Sequence, residues 1–383
     1  MRYRGRPDLA MIVADNDEGI PAAGVFTTNR FCAAPVVLCR ERLEKGPIRA
    51  VLVNAGIANA CTGEEGLERA RAMARIAAQH LGAPEESVLV ASTGIIGRQI
   101  LLDPIEQAMP SLVASLRTDG WNDVARAVMT TDTVPKTAFA QVEIAGRQVS
   151  IGGVAKGAGM IAPNMATLLA FVCTDAAVAS DILSHWVRKA ADTSFNSITV
   201  DGDTSTNDTL LVLAGGKAGN PPLTDRDSED SRRFGEALRA VLLDLALQIV
   251  ADGEGATKLI SIRVAGAPDG AAARAVALTI ANSPLVKTAF FGGDANWGRI
   301  VAAAGRAGVD FAPERVALFF DDVCVFRGGT PVGGPDVEAA ATHVFQQKEI
   351  RVLLDLGLGD AAFTAYTCDF SYDYVKINAD YRT

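Results

Sequence analysis

Lys156-Gly-Ala-Gly-Met-Ile-Ala-Pro-Asn-Met-Ala-Thr167, running on into Leu168-Leu-Ala-Phe-Val172, sets a threonine behind a small alanine, between a glycine-rich turn and an apolar run. A chain that cuts itself at Ala166-Thr167 needs this arrangement, and such a cut would make Thr167 an N-terminal nucleophile. An ordinary threonine hydroxyl is a poor nucleophile near neutral pH and needs a base beside it. A threonine at a chain terminus carries that base on its own α-carbon. Its amine has a pKa of about 7.7 to 8.0, so a useful fraction is neutral near pH 7. No histidine is required, and His80, His185 and His343 are the only three in the chain, none beside a serine or cysteine in a nucleophile motif.

Two other readings fit the same stretch locally. One is a glycine-rich loop feeding a buried strand, with Thr167 an ordinary β-branched strand residue. The other is a dinucleotide turn, because Gly157-Ala-Gly159-Met-Ile-Ala162 matches G-x-G-x-x-G/A after a strand-like run at 149–154. Pro163 and Asn164 follow at once, where that fingerprint needs a helix N-terminus facing the pyrophosphate.

The remaining composition narrows the function class. At 383 residues the chain has room for two or three structural units, and 49% hydrophobic with 21% charged residues is the balance of a water-soluble globular protein. Its net charge of -9 argues against nucleic acid as partner. No apolar run is long enough to span a bilayer and no signal-peptide segment follows the N-terminus, so the expected setting is cytoplasmic with no membrane partner. Cys32, Cys39, Cys61, Cys173, Cys324 and Cys368 lack metal-ligand spacing and read as reduced core residues. The carboxylates Asp201, Asp203 and Asp208 have no glutamate at calcium-loop spacing, so no metal is expected there.

Helical periodicity is clearest over 64–81, where Leu67, Ala70, Met73, Ala74 and Ala77 share a face and Gly82 stands at the end as a cap. Further helices are expected over 180–191 and 231–252, and strands over 50–53, 88–91, 168–172, 209–214, 259–264 and 316–320. Residues 215–230 read as an exposed loop, and a weaker boundary falls at 265–270. Alternating strands and helices make the class α/β, with sheets layered by helices. From Tyr372 to Thr383 the residues Val375, Ile377, Ala379 and Tyr381 alternate, which predicts a packed terminal strand.

The blocks Ala23-Gly-Val-Phe-Thr27, Asn59-Ala-Cys-Thr-Gly63, Ser92-Thr-Gly-Ile-Ile-Gly97 and Thr130-Thr-Asp-Thr133 precede the stretch quoted first. Thr199-Val-Asp-Gly-Asp-Thr-Ser-Thr-Asn-Asp208, Leu285-Val-Lys-Thr288, Asn296-Trp-Gly-Arg299 and the terminal Tyr374 to Thr383 follow it. With these blocks in this order, the chain resembles the glutamate N-acetyltransferase (ornithine acetyltransferase) family of arginine biosynthesis along almost its whole length. The resemblance implies a layered helix-sheet-sheet-helix core of the type shared with self-cleaving aminopeptidases, over residues 1–265. A smaller C-terminal α/β domain over 266–383 would end in a strand reaching the active site.

It further implies a precursor that cleaves between Ala166 and Thr167 into two fragments that stay together, and a homo-oligomer of such pairs. The reaction implied moves an acetyl group from N2-acetylornithine to glutamate through acetyl-Thr167, with no cofactor; some members also use acetyl-CoA as donor. Thr93 and Gly94 match the family's oxyanion hole, and a hydroxyl beside a glycine N–H is a fitting donor pair. Thr130, Lys156, Thr167, Glu254, Asn378 and Thr383 match its substrate-binding positions, with Lys156 suited to a substrate carboxylate and Glu254 to the ornithine ammonium. Ala55 and Ile57 depart from the pattern, where a serine and an asparagine are expected. An aminopeptidase or amidase of the same nucleophile type, with water as acyl acceptor, and an uncleaved small-molecule-binding protein are the competing readings. Retention of Thr167, Lys156, Thr93 and Gly94 counts against the last.

Overall fold

The computed structural model describes residues 5–162 and 168–380. Its strands are β1 (Leu9–Val13), β2 (Ala22–Phe26), β3 (Ala50–Ile57), β4 (Val88–Ile95), β5 (Lys136–Ile144), β6 (Arg147–Lys156), β7 (Leu169–Thr174), β8 (Ile198–Thr199) and β9 (Thr209–Ala214). They continue with β10 (Leu259–Ala267), β11 (Ala317–Phe320), β12 (Val323–Arg327), β13 (Thr330–Pro331), β14 (Glu349–Asp355) and β15 (Ala361–Cys368). The helices are α1 (Ala34–Leu43), α2 (Gly63–Leu81), α3 (Leu102–Ala114), α4 (Trp121–Ala127), α5 (Ser180–Asp192) and α6 (Glu229–Ala251). After them come α7 (Gly270–Ala281), α8 (Pro284–Gly292), α9 (Trp297–Gly305), α10 (Pro335–Phe345) and α11 (Tyr372–Asp380).

The described residues divide into two compact units, one running to Asn196 and including Asp203–Ile249, the other made of Ser197–Gly202 and the described chain from Val250. In the first unit, all eight residues of β3 are buried because both of its faces are covered. Val51 and Val53 point toward Val154, Leu169, Phe171 and Leu211 of a five-stranded sheet, order β2-β9-β7-β6-β5. The alternate residues Ala50 and Leu52 pack instead on Ala70, Met73, Ala74 and Ala77 of α2 and on Ile105 and Met109 of α3. The three-stranded sheet β1-β3-β4 thus has helices on one face and a second sheet on the other. Helix α5 lies against β2 and β9 of the second sheet. Trp186 of α5 donates its indole N–H to Ser231 of α6 at 2.8 Å, and Gly235 lets α6 approach, since a Cβ there would meet the Trp186 ring at 2.1 Å. Helix, sheet, sheet, helix is the layering expected.

The 64–81 helix forms as α2, and Gly82 ends it at φ 64° with its N–H bonded to the carbonyls of Ala78 and Gln79. The second unit is built on one seven-stranded mixed sheet, order β13-β12-β11-β14-β10-β15-β8, with its core formed against α7, α9 and α10. Strand β10 lies inside that sheet, parallel to β14 and antiparallel to β15, so a domain boundary at residue 265 would cut through it. The unit division falls at Ile249/Val250; the glycine-rich signal at 265–270 marks a bulge, with Gly266 at φ 63° and the β10/β15 register shifting between Val264 and Ala267.

The expected terminal strand is a helix. Residues Tyr372–Asp380 form α11, with Asp373 in its first turn, where a carboxylate favours the helix dipole. None of its residues is buried, and Val375 is 66% exposed. The alternation of Val375, Ile377 and Ala379 therefore has no apolar face to fill. All six cysteines are free, but only Cys39 and Cys368 are buried and Cys61 is exposed. Among the described residues no single helix is long and apolar enough to cross a membrane; α7 and α8 together pass by length and composition, but they are bent by 57° and supply core residues such as Val276, Ile280 and Phe290.

Candidate active site

Strand order alone brings together the two ends of the stretch that holds the expected cleavage site. β6 and β7 are antiparallel neighbours, and Lys156 pairs with Leu169 in their ladder. Residues 157–168 therefore connect adjacent strand ends. Of these, Pro163 through Thr167 lie outside the described residues, so the expected cleavage site, Ala166 and Thr167, does too, as does Thr383. Leu168, the residue after the proposed nucleophile, is held at both of its backbone groups. Its N–H donates to Asp208 Oδ1 at 2.9 Å, and its carbonyl accepts from Thr209 N at 3.1 Å.

The neighbouring residue Asn207 reaches the opposite way. Its side-chain amide donates to the carbonyls of Ser92, at 2.8 Å, and Ala58, at 2.6 Å. Ser92 directly precedes Thr93 and Gly94, which are near the end of β4. Two successive residues, Asn207 and Asp208, thus tie the strand that carries Thr93 and Gly94 to the residue that follows Thr167. Gly94 adopts φ 130°, and a Cβ on it would stand 2.3 Å from the carbonyl carbon of Gly56, so only glycine fits. Thr93 is buried, and the strand end is braced by Ser92 Oγ donating to Asn54 Oδ1 at 2.5 Å and Asn54 Nδ2 donating to the Ile57 carbonyl at 2.9 Å. The two departures from the family pattern, Ala55 and Ile57, are both buried apolar residues of the neighbouring strand β3.

Thr130 and Lys156 are joined through a carboxylate with no role in the sequence reading. Asp132 Oδ2 accepts from Thr130 N–H at 2.9 Å and lies 3.9 Å from Lys156 Nζ, while Oδ1 accepts from Gly157 N–H at 2.6 Å and from Lys136 Nζ at 2.8 Å. All three charged side chains are buried. Burial alone would raise the Asp132 pKa, but the charges of Lys156 and Lys136 and the hydrogen bonds from Lys136 and Thr130 outweigh it and bring the pKa down to about 2. The two lysines meet because β5 and β6 form a hairpin whose turn residues, Ala145 and Gly146, have φ 49° and 73°. The ladder aligns Lys136 with Ala155, one residue from Lys156. The Asp132/Lys136 pair is an i,i+4 opposite charge at the edge of an alternating run, which is the signal that could have exposed it.

In the second unit, Asn378 Nδ2 donates to Glu254 Oε2 at 2.9 Å and to the Tyr374 carbonyl at 3.0 Å. Gly255 makes this meeting possible: a Cβ there would lie 2.4 Å from Tyr374 N, and Ser371 Oγ donates to the Gly255 carbonyl at 2.6 Å. The predicted site residues therefore form two described groups, one around Thr93, Gly94, Thr130 and Lys156, the other joining Glu254 to Asn378. Among the described residues no three His, Cys, Asp or Glu side chains are grouped to hold a metal ion.

The family model for ArgJ matches residues 1–383. An arginine biosynthesis bifunctional protein ArgJ from Geobacter sulfurreducens is 54% identical over 379 residues, covering 99% of this chain and 95% of that protein. Its counterpart from Symbiobacterium thermophilum is 51% identical over 381 residues, covering 99% and 93%. In the crystal structure of the arginine biosynthesis bifunctional protein ArgJ from Bacillus halodurans, the matched chain is 41% identical, covers 55% of this chain and 98% of its own length, and superposes with a TM-score of 0.53. Matched from end to end and sharing more than half its residues with the Geobacter sulfurreducens protein, the chain belongs to the ArgJ family.

Proposed function

We propose that the protein is a self-cleaving acyltransferase of arginine biosynthesis that moves an acetyl group from N2-acetylornithine to glutamate through an acetyl-Thr167 enzyme. The observation that carries this reading is the bridge by Asn207 and Asp208 between Ser92 and Leu168, the chain neighbours of Thr93 and Thr167. It supports a nucleophile and an oxyanion hole held in one rigid frame. After cleavage before Thr167, the free amine of that residue takes the Oγ proton and Oγ attacks the acetyl carbonyl. Thr93 Oγ–H and Gly94 N–H hold the tetrahedral oxyanion, worth about a hundredfold or more in rate for each donor. The proton passes to the departing α-nitrogen of ornithine, and the glutamate amine then attacks the acetyl ester by the reverse sequence.

Lys156 meets the substrate carboxylate, and Thr130, Glu254, Asn378 and Thr383 complete the binding site, with Glu254 facing the ornithine ammonium. The reaction needs no cofactor; acetyl-CoA is a second donor in this reading, which makes the protein bifunctional like its named relatives. A homo-oligomer of cleaved pairs in the cytoplasm completes it. The test is the denatured mass of the purified protein before and after brief exposure to N2-acetylornithine without glutamate. Two fragments dividing at Ala166-Thr167, with one acetyl group on the fragment that begins at Thr167, are expected. A single chain that takes up no acetyl group would refute the reading. Glutamate should also speed ornithine release, and its failure to do so would favour the hydrolytic alternative.

A further inference from the structure

Glu254 lies in the connection between α6, which ends at Ala251, and β10, which starts at Leu259. A carboxylate on a connecting segment recognises a charge at a set position only if the segment is fastened. Its first end is closed onto α6, because Gly253 N–H donates to the Val250 carbonyl at 3.1 Å and Ala256 N–H to the Gly253 carbonyl at 2.8 Å. The other end is fastened by a side chain that the transfer steps leave without a part. Asp369 is buried, and its carboxylate is filled by three donors. Oδ1 accepts from Thr257 N–H at 2.8 Å and Lys258 N–H at 2.9 Å, and Oδ2 accepts from the Thr257 hydroxyl at 2.5 Å. Two residues on, Ser371 holds the Gly255 carbonyl, and Asn378 reaches Glu254 itself. Asp369 is held in turn by Lys287, from the block Leu285-Val-Lys-Thr288 that the reaction also leaves unused. The buried Lys287 ammonium donates to Thr367 Oγ1 at 2.6 Å and to the Cys368 carbonyl, and it stands 4.7 Å from the centre of the Phe370 ring. Phe370 N–H donates to the Lys287 carbonyl at 3.2 Å, so the residues on both sides of Asp369 are pinned to α8.

We propose that Asp369 is a positioning residue for donor specificity, locking the 254–258 segment so that the Glu254 carboxylate is held ready for the side-chain ammonium of the acetylated donor. This rests on the reading that Glu254 meets that ammonium. Asp369 touches no substrate; it acts through the backbone of Thr257 and Lys258. Its three hydrogen bonds do for this connection what a neighbouring strand does for a strand edge, satisfying the amides and fixing their direction at once. A charge-assisted hydrogen bond depends on distance and orientation, whereas apolar contact tolerates small shifts. Slack at Glu254 therefore weakens a cationic donor more than an uncharged donor of the same shape. The device is one of selection between donors, separate from the acyl-transfer chemistry.

The test compares two donors in steady-state transfer to glutamate by the full-length protein: N2-acetylornithine, and N2-acetylnorleucine, whose side chain ends in a methyl group where ornithine has its ammonium. Asp369→Asn should lower the ratio of their kcat/KM values by about tenfold, through a raised KM for N2-acetylornithine. Thr257→Ala, at an exposed position, takes away only the hydroxyl donor to Asp369 and should move the ratio the same way by a smaller factor, and Thr257→Ser should restore it. A ratio equal to that of wild type in folded Asp369→Asn, or an equal loss for both donors, overturns the proposal, since a purely structural role would weaken both alike. If Asp369→Asn does not fold, the alanine variant decides, and an unchanged ratio there overturns it. Glu254→Gln separates the two ideas. If that variant keeps the wild-type ratio, the reading of Glu254 fails and the proposal falls with it, whereas a lowered ratio in Glu254→Gln beside an unchanged one in Asp369→Asn removes only Asp369.

Discussion

Replacing Asp132 by Asn would remove a carboxylate that faces two buried lysines, Lys136 and Lys156. Asp132 and Lys136 have fully buried side chains 2.8 Å apart, with Lys156 at 3.9 Å from the other carboxylate oxygen. Taking one partner from a buried ion pair strands the other charge, at a cost of about 3 to 5 kcal/mol. The protonation equilibrium supplies an independent figure. A pKa held at about 2 rather than the usual 3.8 corresponds to roughly 2 to 3 kcal/mol of stability, at 1.36 kcal/mol per unit. That figure is smaller because acidified Asp132 still accepts hydrogen bonds. The sign follows from a depressed pKa: the contribution is complete above the unfolded-state value near 4 and is lost as pH falls toward about 2. Urea unfolding of wild type and Asp132→Asn at neutral pH should differ by about 3 kcal/mol or more, with the gap narrowing between about pH 4 and about pH 2. A difference below about 1 kcal/mol at neutral pH, or a gap unchanged across the acid range, would refute the reasoning. Transfer activity should also fall, because the same side chain holds the Thr130 and Gly157 amides that flank the Lys156 region.

Thr93→Ala should slow acetyl transfer by about a hundredfold or more while the fold persists, and unaltered single-turnover acetylation would remove the hydroxyl from the oxyanion hole. Gly94→Ala should destabilise the first unit by about 3 kcal/mol or more, because its Cβ would meet the Gly56 backbone; a melting temperature within error of wild type would contradict that clash.

The parts legible from sequence were those written in local periodicity. The α2 stripe from Leu67 to Ala77, its glycine cap and the apolar runs of β3, β7 and β9 each bury what their spacing predicts. The terminal segment misled because alternation over a few residues is also compatible with an exposed helix, and only a neighbouring sheet edge could have favoured the strand. The unit boundary misled for a different reason: glycines at 265–270 serve a bulge at the end of a strand as readily as a linker. Thr93, Gly94, Thr130 and Lys156 came from resemblance to a family, since a threonine or lysine at those positions has no local signature of its own. Of the side chains that organise them, Asp132 left a local trace in its i,i+4 pairing with Lys136, whereas Asn207 and Asp208 act across 40 to 149 residues of sequence, a separation at which pattern carries no information.

The strand order of the five-stranded sheet decides what a cut before Thr167 could do to the molecule. In the series β2-β9-β7-β6-β5, the first, fourth and fifth strands precede the cut and the second and third follow it. The two products would be woven into one fabric, joined along the β2/β9 seam from Ala22 to Phe26 and along the β6/β7 seam from Ile151 to Lys156. Neither could depart without tearing out strands and exposing Phe171, Leu211 and Val154 to water. Cleavage of this kind frees a terminus without freeing a fragment, so the nicked protein should melt as one cooperative body and its halves should part only on unfolding.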